Sequence, residues 1–213
     1  RETKLAANTI KDSFKNQKLM ISIDRLDYSK GIPQRLEAFQ LLLVNYPEYR
    51  GKVKLVMISV PSRTEVDTYK QLRDQIEQLV SRINGEFGTV DWAPISYQFQ
   101  NRPFDEIVAL YAAADIALVT PIRDGMNLVA KEYIAAQDKN PGALILSEMT
   151  GAADELPEAI MINPNDTHSI VEGIHSALKL SKRERQRRIT TMQKRIKTYD
   201  VKAWSNDFLY GLE

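Results

Sequence analysis

Leu19-Met20-Ile21-Ser22-Ile23-Asp24-Arg25-Leu26-Asp27-Tyr28-Ser29-Lys30-Gly31-Ile32-Pro33 is the stretch on which the fold turns. A short apolar run rich in β-formers ends in polar Asp24 and Arg25, a loop follows, and Pro33 then occupies the first turn of a helix. Leu36, Phe39, Leu42 and Leu43 continue at three- and four-residue spacing, which gives that helix one apolar face.

The same strand–helix unit recurs downstream. Further runs are 52–58, stopped by Pro61, then 95–99, which alternates, 116–119, stopped by Pro121, 143–146 and 159–162. Short runs apolar on both faces suit central strands of a parallel sheet. Between them, Ser62-x-x-Glu65 reads as a capping box opening a helix through Ile83, and helical patterns cover Phe104 to Ala113, Leu128 to Gln137 and Ser169 to Leu180. Strict alternation predicts right-handed βαβ units, and so an α/β, Rossmann-like, doubly wound parallel sheet of about six strands. The chain then ends in helix only, with a capping box at Ser181-x-x-Glu184 and a last segment around Trp204, Phe208 and Leu209. No repeat, low-complexity stretch or Pro/Gly-rich linker interrupts it, so one domain over 1–213 is expected, with the helices from about 181 onward packing on it or reaching toward a further, N-terminal domain.

Composition narrows the partners. Twenty-nine Lys and Arg against 28 Asp and Glu leave a net charge of +1, which argues against a dedicated nucleic-acid binder. The absence of cysteine excludes disulfides and thiolate metal sites and fits a reducing, cytoplasmic location. No apolar run approaches the ~18–20 residues that cross a bilayer, so no membrane partner is expected. Arg1-Glu2-Thr3-Lys4-Leu5 lacks both an initiator Met and the apolar core of a signal peptide, and it reads as the start of a fragment of a longer protein.

In an open parallel sheet, ligands bind beyond the carboxyl ends of the strands, near the switch in strand order. Two loops at such ends are unusual. The first carries Arg25 and Lys30 ahead of Gly31 and a Pro-initiated helix. Guanidinium binds phosphate oxygens in pairs, ammonium adds a point charge and the helix dipole favours anions, so this loop is a natural diphosphate clamp. The alternative is a surface loop whose Arg and Lys pair with Asp24 and Asp27. The second loop runs Thr120-Pro121-Ile122-Arg123-Asp124-Gly125-Met126-Asn127-Leu128-Val129-Ala130-Lys131-Glu132. A helix beginning near Asn127 would direct the amides of Met126, Asn127, Leu128 and Val129 toward a phosphate or sugar oxygen. Asp124 at the mouth suits sugar hydroxyls. Glu132, four residues past Leu128 on the same face, suits a ribose diol. A helix end merely capped by Asp or Asn is the alternative. Neither G-x-G-x-x-G after the first strand nor G-x-x-x-x-G-K-[ST] occurs, which weakens nicotinamide and kinase readings.

At these two segments, Arg25-Leu26-Asp27-Tyr28-Ser29-Lys30-Gly31 and Arg123-Asp124-Gly125-Met126-Asn127-Leu128-Val129-Ala130-Lys131-Glu132, the sequence resembles the retaining trehalose-6-phosphate synthases, glycosyltransferases of family 20. The likeness extends through Ser59-Val60-Pro61-Ser62-Arg63. It implies the C-terminal, nucleotide-sugar-binding half of a GT-B fold. By that resemblance Arg25 and Lys30 hold the UDP diphosphate, Leu128 and Val129 supply amides to it, and Glu132 takes the ribose hydroxyls. Asp124, Gly125, Met126 and Asn127 hold the donor glucose, Arg63 reaches the phosphate of glucose 6-phosphate, and the loop near Asn101, Arg102 and Ile107 faces the uracil. Arg25, Lys30 and Asp124 are then the catalytic set. The resemblance implies UDP-glucose as a substrate and no metal or cofactor. Acceptor binding would need an N-terminal domain, so the chain alone is expected to bind donor without turning it over. A homo-oligomer, or a place in a trehalose synthase complex, is compatible with this. A non-catalytic synthase-like subunit is the competing class, but Arg25, Lys30, Asp124 and Glu132 are all intact; another retaining nucleotide-sugar transferase is the second. A sugar phosphatase lacks its D-x-D-x-T segment.

Other features read as structural. His168 and His175 share a face of one helix without further ligands. Asn165-Asp166-Thr167 matches a glycosylation sequon but suits a helix start. The run from Lys182 to Arg188 suits a solvated helix face. Trp92, Trp204 and Phe208 suit packing, with Trp204 placed to face a partner domain.

Overall fold

The apolar runs become strands because in the central ones nearly every residue has a face to bury. In the computed structural model, which describes residues 2–14, 16–139, 141–199, 202, 205, 209 and 210, these are β1 (Lys18–Arg25), β2 (Val53–Val60), β3 (Ile95–Phe99), β4 (Ile116–Val119), β5 (Ala143–Ser147) and β6 (Ile160–Ile162). They form one sheet in the order β3-β2-β1-β4-β5-β6, and every neighbouring pair is parallel. Order therefore reverses between β1 and β4, where the crossovers leave to opposite sides and a crevice opens at the carboxyl ends.

Alternation along each strand splits the core in two. Met20, Leu55, Met57, Leu118 and Ile145 pack against α2 (Ile32–Asn45), α3 (Asp67–Phe87) and α7 (Thr167–Lys179). Ile21, Val56, Ile58, Ala117 and Leu144 pack on the other face, under α1 (Glu2–Ser13), α4 (Phe104–Ala113), α5 (Leu128–Ala136), α6 (Gly151–Glu155) and α8 (Lys182–Thr198). The sheet is thus covered on both faces, the condition under which an all-parallel sheet is stable.

Several expectations need correction. α1 lies outside the strand–helix alternation that the sequence shows: it leans on α4 with Ala7 buried and Ile10 and, just past its end, Phe14 only partly so, a weak apolar stripe. α6, five residues long, is too short for any period to register. Ser62 and Glu65 do not cap α3, which starts at Asp67 after Val66 without a side-chain cap bond. The cause is Arg63, whose φ of 47° turns the chain left-handed and ends any helical continuation from Ser62. At α8 the expected cap forms by half. Ser181 Oγ accepts from Glu184 N at 3.2 Å, while the Glu184 carboxylate turns to Arg187 and Arg188.

The residues read as structural behave so where they are described. Trp92 is buried and donates to Val53 O at 2.9 Å. Asp166 caps α7 by accepting from His168 N. His175 stacks on Tyr46 at 4.0 Å and hydrogen-bonds Tyr49. In the basic run, Arg185 donates to the Pro141 and Leu180 carbonyls. Trp204 and Phe208 lie outside the described residues.

Candidate functional site

The loop after β1 is fixed by its own side chains. Asp27, extended at φ −155°, caps a 3-10 turn over Tyr28–Lys30 and accepts from Ser29 N at 2.9 Å and Ser29 Oγ at 2.7 Å. Burial would raise the Asp27 carboxyl, but the Ser29 bonds, the Tyr69 hydroxyl and the Lys30 charge together hold it below its ordinary value. Gly31 ends the turn at φ 63°, and a Cβ there would fall 2.4 Å from Thr120 O. Only glycine lets the loop lie this close to the end of β4. Ser29 O then accepts from Ile122 N at 2.8 Å and Arg123 N at 3.3 Å, which ties the loops together.

The loop after β4 rests on the turn after β5. Asp124 N donates to Met149 O at 3.2 Å, Gly151 N to Asp124 O at 3.1 Å and Ala152 N to Met126 O at 3.0 Å. A Cβ on Gly151 would sit 2.2 Å from Gly125 O, so this second seam also depends on glycine. Asn127 takes the left-handed conformation, φ 68°, and its Oδ1 caps α5 by accepting from Ala130 N at 3.0 Å. Asparagine tolerates that conformation better than most residues. Among the described residues the amides of Gly125, Asn127, Leu128 and Val129 have no acceptor. The Met126 amide, expected to be free, instead points at Asp124 Oδ1 at 3.4 Å.

The two loops meet at one contact. Lys30 Nζ lies 2.6 Å from Asp124 Oδ2, with the side chains 13% and 17% exposed. Asn127 Nδ2 donates to the same oxygen at 3.1 Å. Lys30 therefore pairs with neither Asp24 nor Asp27. Burial pushes the Asp124 carboxyl up, but Lys30, the Met126 amide and Asn127 outweigh it and leave it below its ordinary value.

Beneath both loops lies a residue that sequence reasoning missed. Paired register between β1 and β4 is confined to Met20↔Ile116 and Ile21↔Ala117, although β1 continues to Arg25. The gap beyond holds the Arg35 guanidinium, 0% exposed. Its Nε donates to Thr120 Oγ1 at 2.8 Å, Nη1 to Asp24 Oδ2 at 2.6 Å and to Ser22 Oγ, and Nη2 to Lys30 O at 3.0 Å. Burial is the largest influence on Asp24 and raises its carboxyl, with Arg35 acting against it. A signal existed: Arg35 shares the buried face of α2 with Ile32, Leu36 and Phe39.

The remaining site residues are distributed around this centre. Arg25 is exposed at the end of β1 and has no hydrogen-bond or ion-pair partner among the described residues. Glu132, one turn into α5, accepts from the Tyr111 hydroxyl at 3.3 Å; burial and Glu132 raise that phenol. Arg63 donates to Tyr69 OH at 3.1 Å, and that hydroxyl donates to Asp27 Oδ2 at 3.2 Å. Arg102 is held by Gln98 and Glu106, Asn101 is exposed, and the Ile107 side chain is committed to the core. Tyr28, Met126 and Leu128 are 65%, 46% and 57% exposed, so the site is an open shelf with apolar groups at its rim. Among the described residues there is no group of three or more His, Cys, Asp or Glu able to hold a metal, and no helix long and apolar enough to cross a membrane.

The shelf therefore offers two cations, a helix N-terminus with unpaired amides, and two carboxylates at different depths. Groups of these kinds are chemically suited to an anion joined to polyhydroxylated groups. The model of glycosyltransferase family 20 matches residues 1–213. The chain is 46% identical over 204 residues to alpha,alpha-trehalose-phosphate synthase (UDP-forming) 2 of Aspergillus fumigatus, a match covering 96% of this chain and 43% of that protein. It superposes with a TM-score of 0.92 on "Trehalose-6-phosphate from E. coli bound with UDP-2-fluoro glucose", at 39% identity, covering 99% of this chain and 49% of that one. A Burkholderia xenovorans alpha,alpha-trehalose-phosphate synthase (UDP-forming) in complex with glucose-6-phosphate gives the same TM-score of 0.92 and 39% identity, covering 99% and 49%. The chain spans less than half the length of the curated relatives it matches.

Proposed function

The chain belongs to glycosyltransferase family 20, and from that premise we propose that it is the C-terminal, donor-binding portion of a UDP-forming trehalose-6-phosphate synthase. The observation that carries this reading is the 2.6 Å meeting of Lys30 and Asp124 beside the free amides at the start of α5. Cation, carboxylate and amides converge over the switch point, where a pyrophosphate and its sugar would lie together.

On this reading Arg25 and Lys30 take the UDP diphosphate, with the Leu128 and Val129 amides. Glu132 takes the ribose, Asp124 and residues 125–127 take the glucose, and Arg63 faces the acceptor phosphate. The loop near Asn101 and Arg102 would face the uracil; Ile107, with its side chain buried and its amide donating to Pro103 O at 3.1 Å, has no free donor for it. Breaking the bond between the anomeric carbon and the phosphate oxygen leaves negative charge on UDP. Fixed cations and amides stabilise that charge more in the transition state than in the ground state, which is what accelerates the step. Glucose passes to glucose 6-phosphate with retention, and trehalose 6-phosphate and UDP result. The chain alone lacks the acceptor half of the cleft, so it binds donor and makes no product. The reading includes a cytoplasmic setting, metal independence, and a homo-oligomer or complex as the working state.

Calorimetric titration with UDP tests this. Saturable binding that weakens at least tenfold in Lys30→Met supports the assignment. A folded chain that does not bind UDP overturns it, and trehalose 6-phosphate made by the chain alone overturns the division of labour.

A further inference from the structure

We infer that Arg35 is a positioning residue for the donor site: from beneath the crevice it sets where Lys30 stands relative to Asp124. The inference rests on the donor-site reading above and adds to it a residue that touches no ligand.

Three strands of observation lead there. The β1–β4 ladder stops short of the carboxyl end, so backbone pairing does not hold the two loops at a set separation. Arg35 bridges that gap instead, with bonds to Ser22 and Asp24 on one side and to Thr120 on the other. A further donor, Nη2, grips the carbonyl of Lys30 at 3.0 Å. Lys30 is thereby anchored at its backbone from below and by Asp124 at its ammonium from the side.

A stabilising role alone explains this poorly. Fully burying a guanidinium and a carboxylate costs solvation that their attraction repays incompletely, and apolar replacements of such pairs are often as stable or more so. An apolar pair would fill the crevice floor equally well but could not hold a backbone carbonyl and two hydroxyls at fixed directions. The planar fork can, because it presents five donors in one rigid plane. Lysine keeps the charge and loses the fork.

The test uses the chain itself, with UDP and uridine as probes. Arg35→Lys should fold, keep uridine affinity and bind UDP at least tenfold more weakly, because only the diphosphate depends on where Lys30 stands. The double variant Asp24→Asn/Arg35→Met, which removes both buried charges, should stay folded, keep uridine affinity and still show the tenfold loss for UDP. A purely structural Arg35 gives the opposite pattern. Every folded variant would then bind UDP and uridine in the parent ratio, which overturns the inference. A parent chain that fails to bind UDP overturns the donor-site reading instead, so the two failures are distinguishable.

Discussion

Replacing Asp124 by Asn should tighten UDP binding, although Asp124 is assigned to the donor site. Without ligand, Lys30 Nζ sits 2.6 Å from Asp124 Oδ2, and a diphosphate must draw the ammonium away from that carboxylate. Opposite charges about 4 Å apart attract by ~4 kcal/mol at an effective dielectric constant of ~20, before solvent screening and desolvation are subtracted. Exposed pairs measure ~0.2–1 kcal/mol and breaking buried ones costs ~3–5 kcal/mol. At 13% and 17% exposure this pair lies between them, and a coupling of about 1–2 kcal/mol, or roughly fivefold to thirtyfold in affinity, follows. Calorimetry should therefore show Asp124→Asn binding UDP more tightly by about that factor. In a Lys30→Met background the same change should gain about twofold or less, since only simple repulsion of the anion remains. UDP-glucose should lose its advantage over UDP in Asp124→Asn, because a sugar hydroxyl loses its carboxylate acceptor. Weaker UDP binding in the single variant, or an equal gain with and without Lys30, would refute the exchange.

Three further outcomes follow from the loop seams and the carboxylates. Gly151→Ala places a Cβ 2.2 Å from Gly125 O; urea unfolding should show a loss of about 1–3 kcal/mol, with weaker UDP binding, and an unchanged midpoint would contradict the seam. Gly31→Ala combines φ 63° with a 2.4 Å approach to Thr120 O, so it should cost at least the ~1–2 kcal/mol of a left-handed residue, measured the same way. Asp27 and Asp124 are both held below the ordinary 3.8, so the stability they contribute is present above about pH 4 and is lost as pH falls through their lower folded values. Urea midpoints taken down that acid limb should fall less steeply in Asp124→Asn than in the parent; equal slopes would show that the pair adds no pH dependence.

What the sequence disclosed followed local rules. Runs apolar on both faces have few homes other than a parallel sheet, so the central strands β1, β2, β4 and β5 could be read from composition and spacing, while the edge strand β3 showed as an alternating run. The loops after β1 and β4 stood out because two cations and a turn glycine precede a helix in one, and an acid and a turn glycine do in the other. The parts that were illegible depend on distant segments. Arg35 could be placed on the apolar face of α2 by its spacing from Ile32, Leu36 and Phe39, but the partners that make its burial possible lie on β1 and after β4, where the short β1–β4 ladder leaves room for it. Gly151 looks like any turn glycine until Gly125 O is found against it. Lys30 had carboxylates three and six residues away in sequence, yet its partner comes from another crossover. Arg63 defeated a plausible capping box through a positive φ that no residue in Ser62–Glu65 signals.

A crystal structure of the chain with UDP bears most directly on the central claim. The diphosphate should lie over the carboxyl ends of β1 and β4, within hydrogen-bonding distance of Lys30 Nζ and of the Leu128 and Val129 amides, with Lys30 withdrawn from Asp124. UDP bound elsewhere, with the 2.6 Å Lys30–Asp124 pair intact, would contradict it.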